Sequence, residues 1–201
     1  MYYGLYTTGE VNSQNVRYWS PKSNGNPHAL ATTNIQGTQK TTVWCGIWGD
    51  EIIGPYFFLD TVSGPDYKIM LEDYIWPLIG ERWTDQDIWL EDGASAHSWY
   101  VDVRSWLTDH FNNKWIGRMN VDDPWPSRSP DLNPCDTFLW GYLKNRVYQT
   151  ECQTLANLKL RIRDAVQSIT PAMLTNVRRN WELRLQMCIA MEGKNFEQCF
   201  R

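Results

Sequence analysis

The stretch WLEDGASAH, Trp89 to His97, decides how this chain is read. A short apolar run ends in Asp92 and a glycine follows. From Ala96 onward, Trp99, Tyr100, Val103, Trp106, Leu107 and Phe111 recur at helical spacing. Residues 87–92 are therefore expected to form a buried strand and 96–111 an amphipathic helix. Asp92 then stands at a strand-to-helix turn, where open α/β sheets tend to keep their ligands.

A second acid arrives from an unlike element. WIGR (115–118) reads as a further strand, and the loop after it, MNVDDPWPSRSPDLNP, is punctuated by four prolines. It delivers Asp136 to the first turn of a helix whose stripe is Phe138, Leu139, Tyr142, Leu143 and Val147. Acidic residues there favour the helix dipole.

Toward the N-terminus, aromatic residues suited to a strand start next to Met1, and VRYWS (16–20) can form another strand before the turn-rich PKSNGNPH. TTVWCGIWG and EIIGPYFFLD are β-branched and aromatic runs separated by Gly49 and Asp50, which signals a hairpin. SGPDYKIMLEDYIWPLIG then changes to helical period, with Ser63 or Pro65 near its start and Pro77 expected to end or kink it. Toward the C-terminus, Leu155, Leu158, Ile162, Val166 and Ile169 form one helix. Thr170-Pro171 starts another that runs to about Met191.

Composition narrows the function classes. A length of 201 residues with 42% hydrophobic and 21% charged residues suits one globular domain with a sizeable core. Twelve tryptophans spread from Trp19 to Trp181 suit an aromatic-rich core better than a base-stacking surface. Five cysteines without CxxC spacing support neither a zinc knuckle nor a disulfide framework and suit a reducing compartment. No apolar segment has transmembrane length and no secretory signal is read, so no membrane partner is expected. A net charge of -4 argues against tight, sequence-independent DNA binding by the whole surface, although a local basic patch beside an acidic site is compatible with it.

Two converging carboxylates can hold Mg²⁺ or Mn²⁺, because these hard ions prefer oxygen ligands and need rigid supports. Asp92 and Asp136 are the candidates. Each also has an ordinary structural reading, since an aspartate is common after a strand and at a helix start. His97, expected in the first helical turn after Asp92, could orient a ligand or touch a phosphate, and it suits a helix-surface or capping role equally well. Arg128, Lys144 and Arg146 flank the pair and could neutralise phosphates, or simply form a solvated face. Asp131 is read as a turn cap and Cys135 as filler.

The element order predicts an α/β domain: an antiparallel meander joined to parallel strands in a mixed sheet, flanked by helices and followed by C-terminal helices. That is the order of the ribonuclease H-like fold. The phrases EVNSQNVRYWSPKSNGNPH, VWCGIWGDEIIGPYFF, EDGASAH, WIGR and SRSPDLNPCDTFLWGYLKNRVY together resemble the mariner-type DDE/D transposases, from about Gly9 to about Gly193. EDGASAH is similar to the motif of the second catalytic acid and SPDLNPCD to that of the third. The resemblance implies Asp92 and Asp136 as the second and third catalytic acids and metal ligands. It also implies a Mg²⁺- or Mn²⁺-dependent cleavage of DNA at transposon ends followed by strand transfer, a nuclear location and compatibility with a homodimer. The interval from Asp92 to Asp136 is longer than in the best-known mariner elements.

In the family the first acid lies on the first strand, in a phrase like Ser-Asp-Glu upstream of the Gly-Glu seen here at Gly9-Glu10. Counting back reaches Met1, and no acid stands between Met1 and Glu10. The expectation is a catalytic domain over 1–201, N-terminally truncated, without the family's helix-turn-helix region and with a helical extension from about 153. It would retain two of three acids and be inactive in cleavage. The alternative is a non-catalytic module that binds nucleic acid or protein on the same fold.

Overall fold

The computed structural model describes residues 1–7, 39–150 and 152–196. The strand expected at 16–20 and the turn-rich segment after it lie outside the described residues.

Strands β1 (Tyr2–Tyr6), β2 (Lys40–Trp48) and β3 (Glu51–Phe58) form an antiparallel sheet in the order β1-β2-β3. Tyr2 lies opposite Trp44, and Trp48 opposite Glu51. The β2–β3 hairpin closes through Gly49-Asp50, and Gly49 takes φ 59°, which a residue without Cβ adopts at no steric cost. Alternation along β2 sends Trp44 into one core and Val43 and Cys45 into another.

Helices α1 (Gly64–Met70) and α2 (Trp76–Ile79), joined by a π turn at Leu71–Ile75, build the Trp44 side. Ser63 caps α1 in a capping box: its hydroxyl accepts from the Asp66 amide, and the Asp66 carboxylate accepts from the Ser63 amide. A Cβ on Gly64 would come within 2.4 Å of Tyr100 Cβ, so glycine allows the start of α1 to pack there. Pro77 does not end this helix but sits inside a helical run that continues to Ile79. The wide π turn before it offers the physical reason, because proline cannot make the regular backbone bond and its ring crowds the preceding turn.

Strand β4 (Trp89–Leu90) is shorter than the run expected to form it. It pairs in parallel with β5 (Trp115–Ile116) as a separate two-stranded sheet. Between them the single expected helix is broken into α3 (Ser95–Ser98) and α4 (Val101–His110), because Tyr100 is extended. Arg104 stabilises the break, donating from Nη1 to the carbonyls of Ser98 and Trp99 at 2.8 and 2.9 Å.

On the Val43 side, α5 (Trp140–Val147) and α6 (Leu155–Gln167) bury Leu143, Leu158 and Ile162 completely against the sheet. Each such side chain contributes about 1.5–3 kcal/mol by leaving water. Most tryptophans serve these cores: Trp44, Trp106, Trp115 and Trp140 are buried. Cys45, Cys135 and Cys152 are buried free thiols in the same apolar layer. Helix α7 (Pro171–Ala190), capped by Thr170, reaches back to the proline-rich loop. Trp181 Nε1 donates to the Leu132 carbonyl at 2.8 Å and Arg184 Nη1 to that of Asp131 at 3.2 Å. Among the described residues, no helix is long and apolar enough to cross a membrane.

Candidate functional site

Asp92 follows β4 by two residues, and its position is fixed by short-range bonds. Its Oδ1 accepts from the Ala94 amide at 3.1 Å and lies 2.7 Å from His97 Nδ1. His97 is fully buried, with its ring 5.1 Å from that of Tyr2 and 4.6 Å from that of Tyr67. This corrects the surface reading of His97: α3 turns it inward onto the carboxylate, and it has no exposed edge with which to meet a phosphate. Burial opposes ionisation of Asp92. His97, the Ala94 amide and the Met1 ammonium outweigh it and hold the carboxyl below its ordinary range.

Glu91, the next residue back, points into the core. It is buried, and its Oε1 accepts from Tyr67 Oη at 2.8 Å and Trp89 Nε1 at 3.1 Å. Burial, then the charge of Glu91, pushes the Tyr67 phenol well above its ordinary range.

Asp136 is carried by a π turn, Cys135–Leu139, that leads into α5. Asn133 organises this turn. Its side-chain Oδ1 accepts from the Cys135 amide at 2.9 Å, and its carbonyl accepts from the amides of Asp136 and Thr137, each at 3.0 Å. The Asp136 carboxyl is pushed up to about 6 by burial and then by the charge of Asp92, while the Met1 ammonium and Lys144 act in the opposite sense. A carboxyl whose ionisation is opposed by a neighbouring carboxylate is an arrangement a cation relieves.

Asp92 and Asp136 line one open cavity of about 580 Å³, together with Gly93, Arg118, Arg128 and Ser129. The structure therefore brings the two predicted acids to one place, with Arg128 on the wall at φ 62°. Lys144 does not line the cavity but is close enough to act on Asp136 by charge, and its ammonium sits 5.1 Å from the centre of the Tyr3 ring. Arg146 is elsewhere: its Nε donates to Tyr142 Oη and it borders a separate depression with Arg161. It follows Lys144 by two residues, so the helical turn points it away.

Sequence reasoning missed two participants. Arg118 reaches the cavity from the end of β5, with its guanidinium 5.1 Å from the half-exposed Trp99 ring and Nη1 donating to the Gly93 carbonyl at 3.5 Å. Nothing in its local pattern distinguishes it from an ordinary strand-end arginine. Asn133 carried a signal, because Asn-Pro before a helical stripe marks a helix start.

The carboxylates fit a hard divalent cation in type and placement, but only in part. Among the described residues, no three His, Cys, Asp or Glu side chains cluster closely enough to hold a metal ion.

The fold matches known structures. The Mos1 transposase paired-end complex with the left transposon end superposes at a TM-score of 0.70 over 98% of this chain and 55% of that one, at 18% identity. The catalytic domain of Mos1 mariner transposase superposes at 0.64 over 79% of this chain and 76% of that one, at 19% identity. The chain shares the fold of the Mos1 mariner transposase catalytic domain. The expected ribonuclease H-like α/β class is thereby met. In sequence, the chain is 28% identical over 179 residues to the Tc3 transposase of Caenorhabditis elegans, covering 88% of this chain and 51% of that protein. No family model matches the sequence. The chain thus spans about half the length of the curated relative it matches. The Mos1 catalytic domain has been solved with Mg and with Mn.

Proposed function

We propose that this chain is a transposase-derived domain whose ancestral reaction is metal-dependent DNA cleavage and strand transfer at transposon ends. The carrying observation is that Asp92 and Asp136 face one cavity whose wall also bears Arg118 and Arg128. Asp92 and Asp136 would hold the ion, which when bound would supply Lewis-acid activation at a phosphodiester. Arg118 and Arg128 would neutralise the phosphate, and His97 would keep Asp92 ionised and oriented. Homodimer assembly and a nuclear location belong to the same reading.

With two carboxylates, Asp92 and Asp136, lining the cavity, this chain alone binds Mg²⁺ or Mn²⁺ weakly and leaves DNA uncut. Each tenfold loss of rate corresponds to about 1.4 kcal/mol of lost transition-state stabilisation. A plasmid-nicking assay in Mn²⁺ checks it: intact supercoiled DNA is expected, and nicking that disappears in Asp92→Ala would overturn the inactivity.

The cationic wall favours a second reading, a non-catalytic nucleic-acid-binding module, since arginines hold phosphate without a metal. Fluorescence anisotropy with a short DNA duplex separates the two. Binding strengthened by Mn²⁺ and lost in Asp92→Asn supports the metal-dependent reading. Metal-independent binding that survives Asp92→Asn but fails in Arg118→Ala supports the module.

A further inference from the structure

The break between α3 and α4 leaves a tryptophan in solvent beside the acid cavity. Trp99 falls on the apolar stripe, yet it is 50% exposed, whereas the other described tryptophans are buried or half-buried. Tryptophan is highly buried on average, and where it is exposed it is enriched at interfaces. Its backbone is held firmly: Trp99 caps the end of α3, its carbonyl accepts from Arg104 Nη1 at 2.9 Å, and the extended Tyr100 after it packs closely on Gly64. The residue before it, Ser98, is fully buried, and its hydroxyl accepts from the Met119 amide at 3.3 Å, which ties this corner to the turn after β5.

That tie brings Arg118 over the ring. Its guanidinium lies 5.1 Å from the ring centre, while its Cδ passes 3.7 Å from where a Cβ on Gly93 would stand. One side chain thus joins Trp99 to the cavity that Asp92, Asp136 and Arg128 line. With one face against the guanidinium, the indole keeps the other for a second flat group. The two arginines on the cavity wall select what that group is attached to, because they match phosphate. A flat group joined to phosphate is a nucleobase. Inside a duplex both faces of a base are already stacked, so the base that fits is an unpaired one.

We propose that Trp99 is a stacking platform for an unpaired DNA base whose neighbouring phosphate is held by Arg118 and Arg128, so that the cavity takes single-stranded DNA in preference to an intact duplex. The inference rests on the phosphate-binding reading of the cavity and adds to it the strand state of the substrate. Trp99 acts as a positioning residue: it fixes the base, and the base fixes where the backbone enters beside Asp92.

The test uses the full chain as wild type, Trp99→Ala and Trp99→Phe. Fluorescence anisotropy in Mn²⁺ is read with three labelled probes of equal length: single-stranded oligothymidylate, the same strand with abasic sites in place of its bases, and its duplex with oligoadenylate. The wild type is expected to bind oligothymidylate about tenfold more tightly than the abasic strand, and more tightly than the duplex. Trp99→Ala should abolish that advantage while leaving the affinity for the abasic strand unchanged, and Trp99→Phe should keep most of it. A Trp99→Ala protein that binds all probes as the wild type does, or weakens them by one common factor, overturns the proposal. So does a concentration-dependent dimer lost in Trp99→Ala, which would give the ring to a second copy of the chain. Repeating the wild-type titrations without Mn²⁺ separates this inference from the reading beneath it. Base preference with no strengthening by Mn²⁺ would contradict the metal-dependent reading alone. Strengthening by Mn²⁺ with no base preference would contradict the platform alone, and absence of binding to every probe overturns both.

Discussion

The two turns that present Asp92 and Asp136 face one cavity but are built on opposite plans. Asp92 is held by its own side chain, through the buried His97 and the Ala94 amide. Asp136 is held by backbone, through a π turn that Asn133 caps and that leads from a loop clamped by α7. The first plan keeps a carboxylate ionised in a buried place. The second places a carboxyl beside an existing charge and leaves it pushed up to about 6. The two carboxyls therefore differ before any ligand arrives, Asp92 held below the ordinary range and Asp136 above it.

The largest expected effect lies in the first turn. His97→Ala removes a fully buried ring between Tyr2 and Tyr67 together with its 2.7 Å contact to Asp92 Oδ1; denaturant unfolding should show a loss of about 2–4 kcal/mol. Retention of full stability would mean that the Asp92 turn does not depend on this contact. Next comes Asn133→Ala, which deletes the cap on the second turn. A loss of about 1 kcal/mol is expected, together with faster exchange of the Cys135 amide. Unchanged exchange there would show that the backbone holds the turn unaided.

A pH-dependent effect separates the acids. The Asp136 carboxyl is raised from its ordinary 3.8 to about 6, so between these values the folded state binds the proton more tightly than the unfolded one. Its contribution favours folding at low pH and is lost as pH rises through about 6. Asp136→Asn should accordingly be the more stable protein above pH 6 and lose that advantage toward pH 4. A flat difference across this range would contradict the assigned environment. The smallest effect on stability belongs to Arg118→Ala. Unfolding should shift by less than about 0.5 kcal/mol because the side chain lies at an exposed rim. DNA binding measured by anisotropy should weaken, and unchanged affinity would remove Arg118 from the phosphate wall.

Much of the fold was legible because local chemistry and tertiary demand agree. The Gly49-Asp50 turn, the Ser63 cap, the Thr170 cap and the strand-to-helix placement of Asp92 follow from residues within a few positions of each other. The failures have a common cause, which is that distant groups decide them. Arg104 caps the end of α3 and so divides a continuous apolar stripe, the π turn at Leu71–Ile75 accommodates Pro77, and the short β4 reflects a divided sheet. The site was legible as a pair of acids from their motifs. The inward turn of His97, the outward turn of Arg146 and the arrival of Arg118 depend on packing that a linear pattern does not encode.

The central claim is that Asp92 and Asp136 act as one cation site. Titration with Mn²⁺, read by electron paramagnetic resonance of the free ion, tests it on the full chain beside Asp92→Asn and Asp136→Asn. Weak, saturable binding of a single ion is predicted, with at least a tenfold loss of affinity in either variant. Binding of equal strength in all three proteins would contradict it.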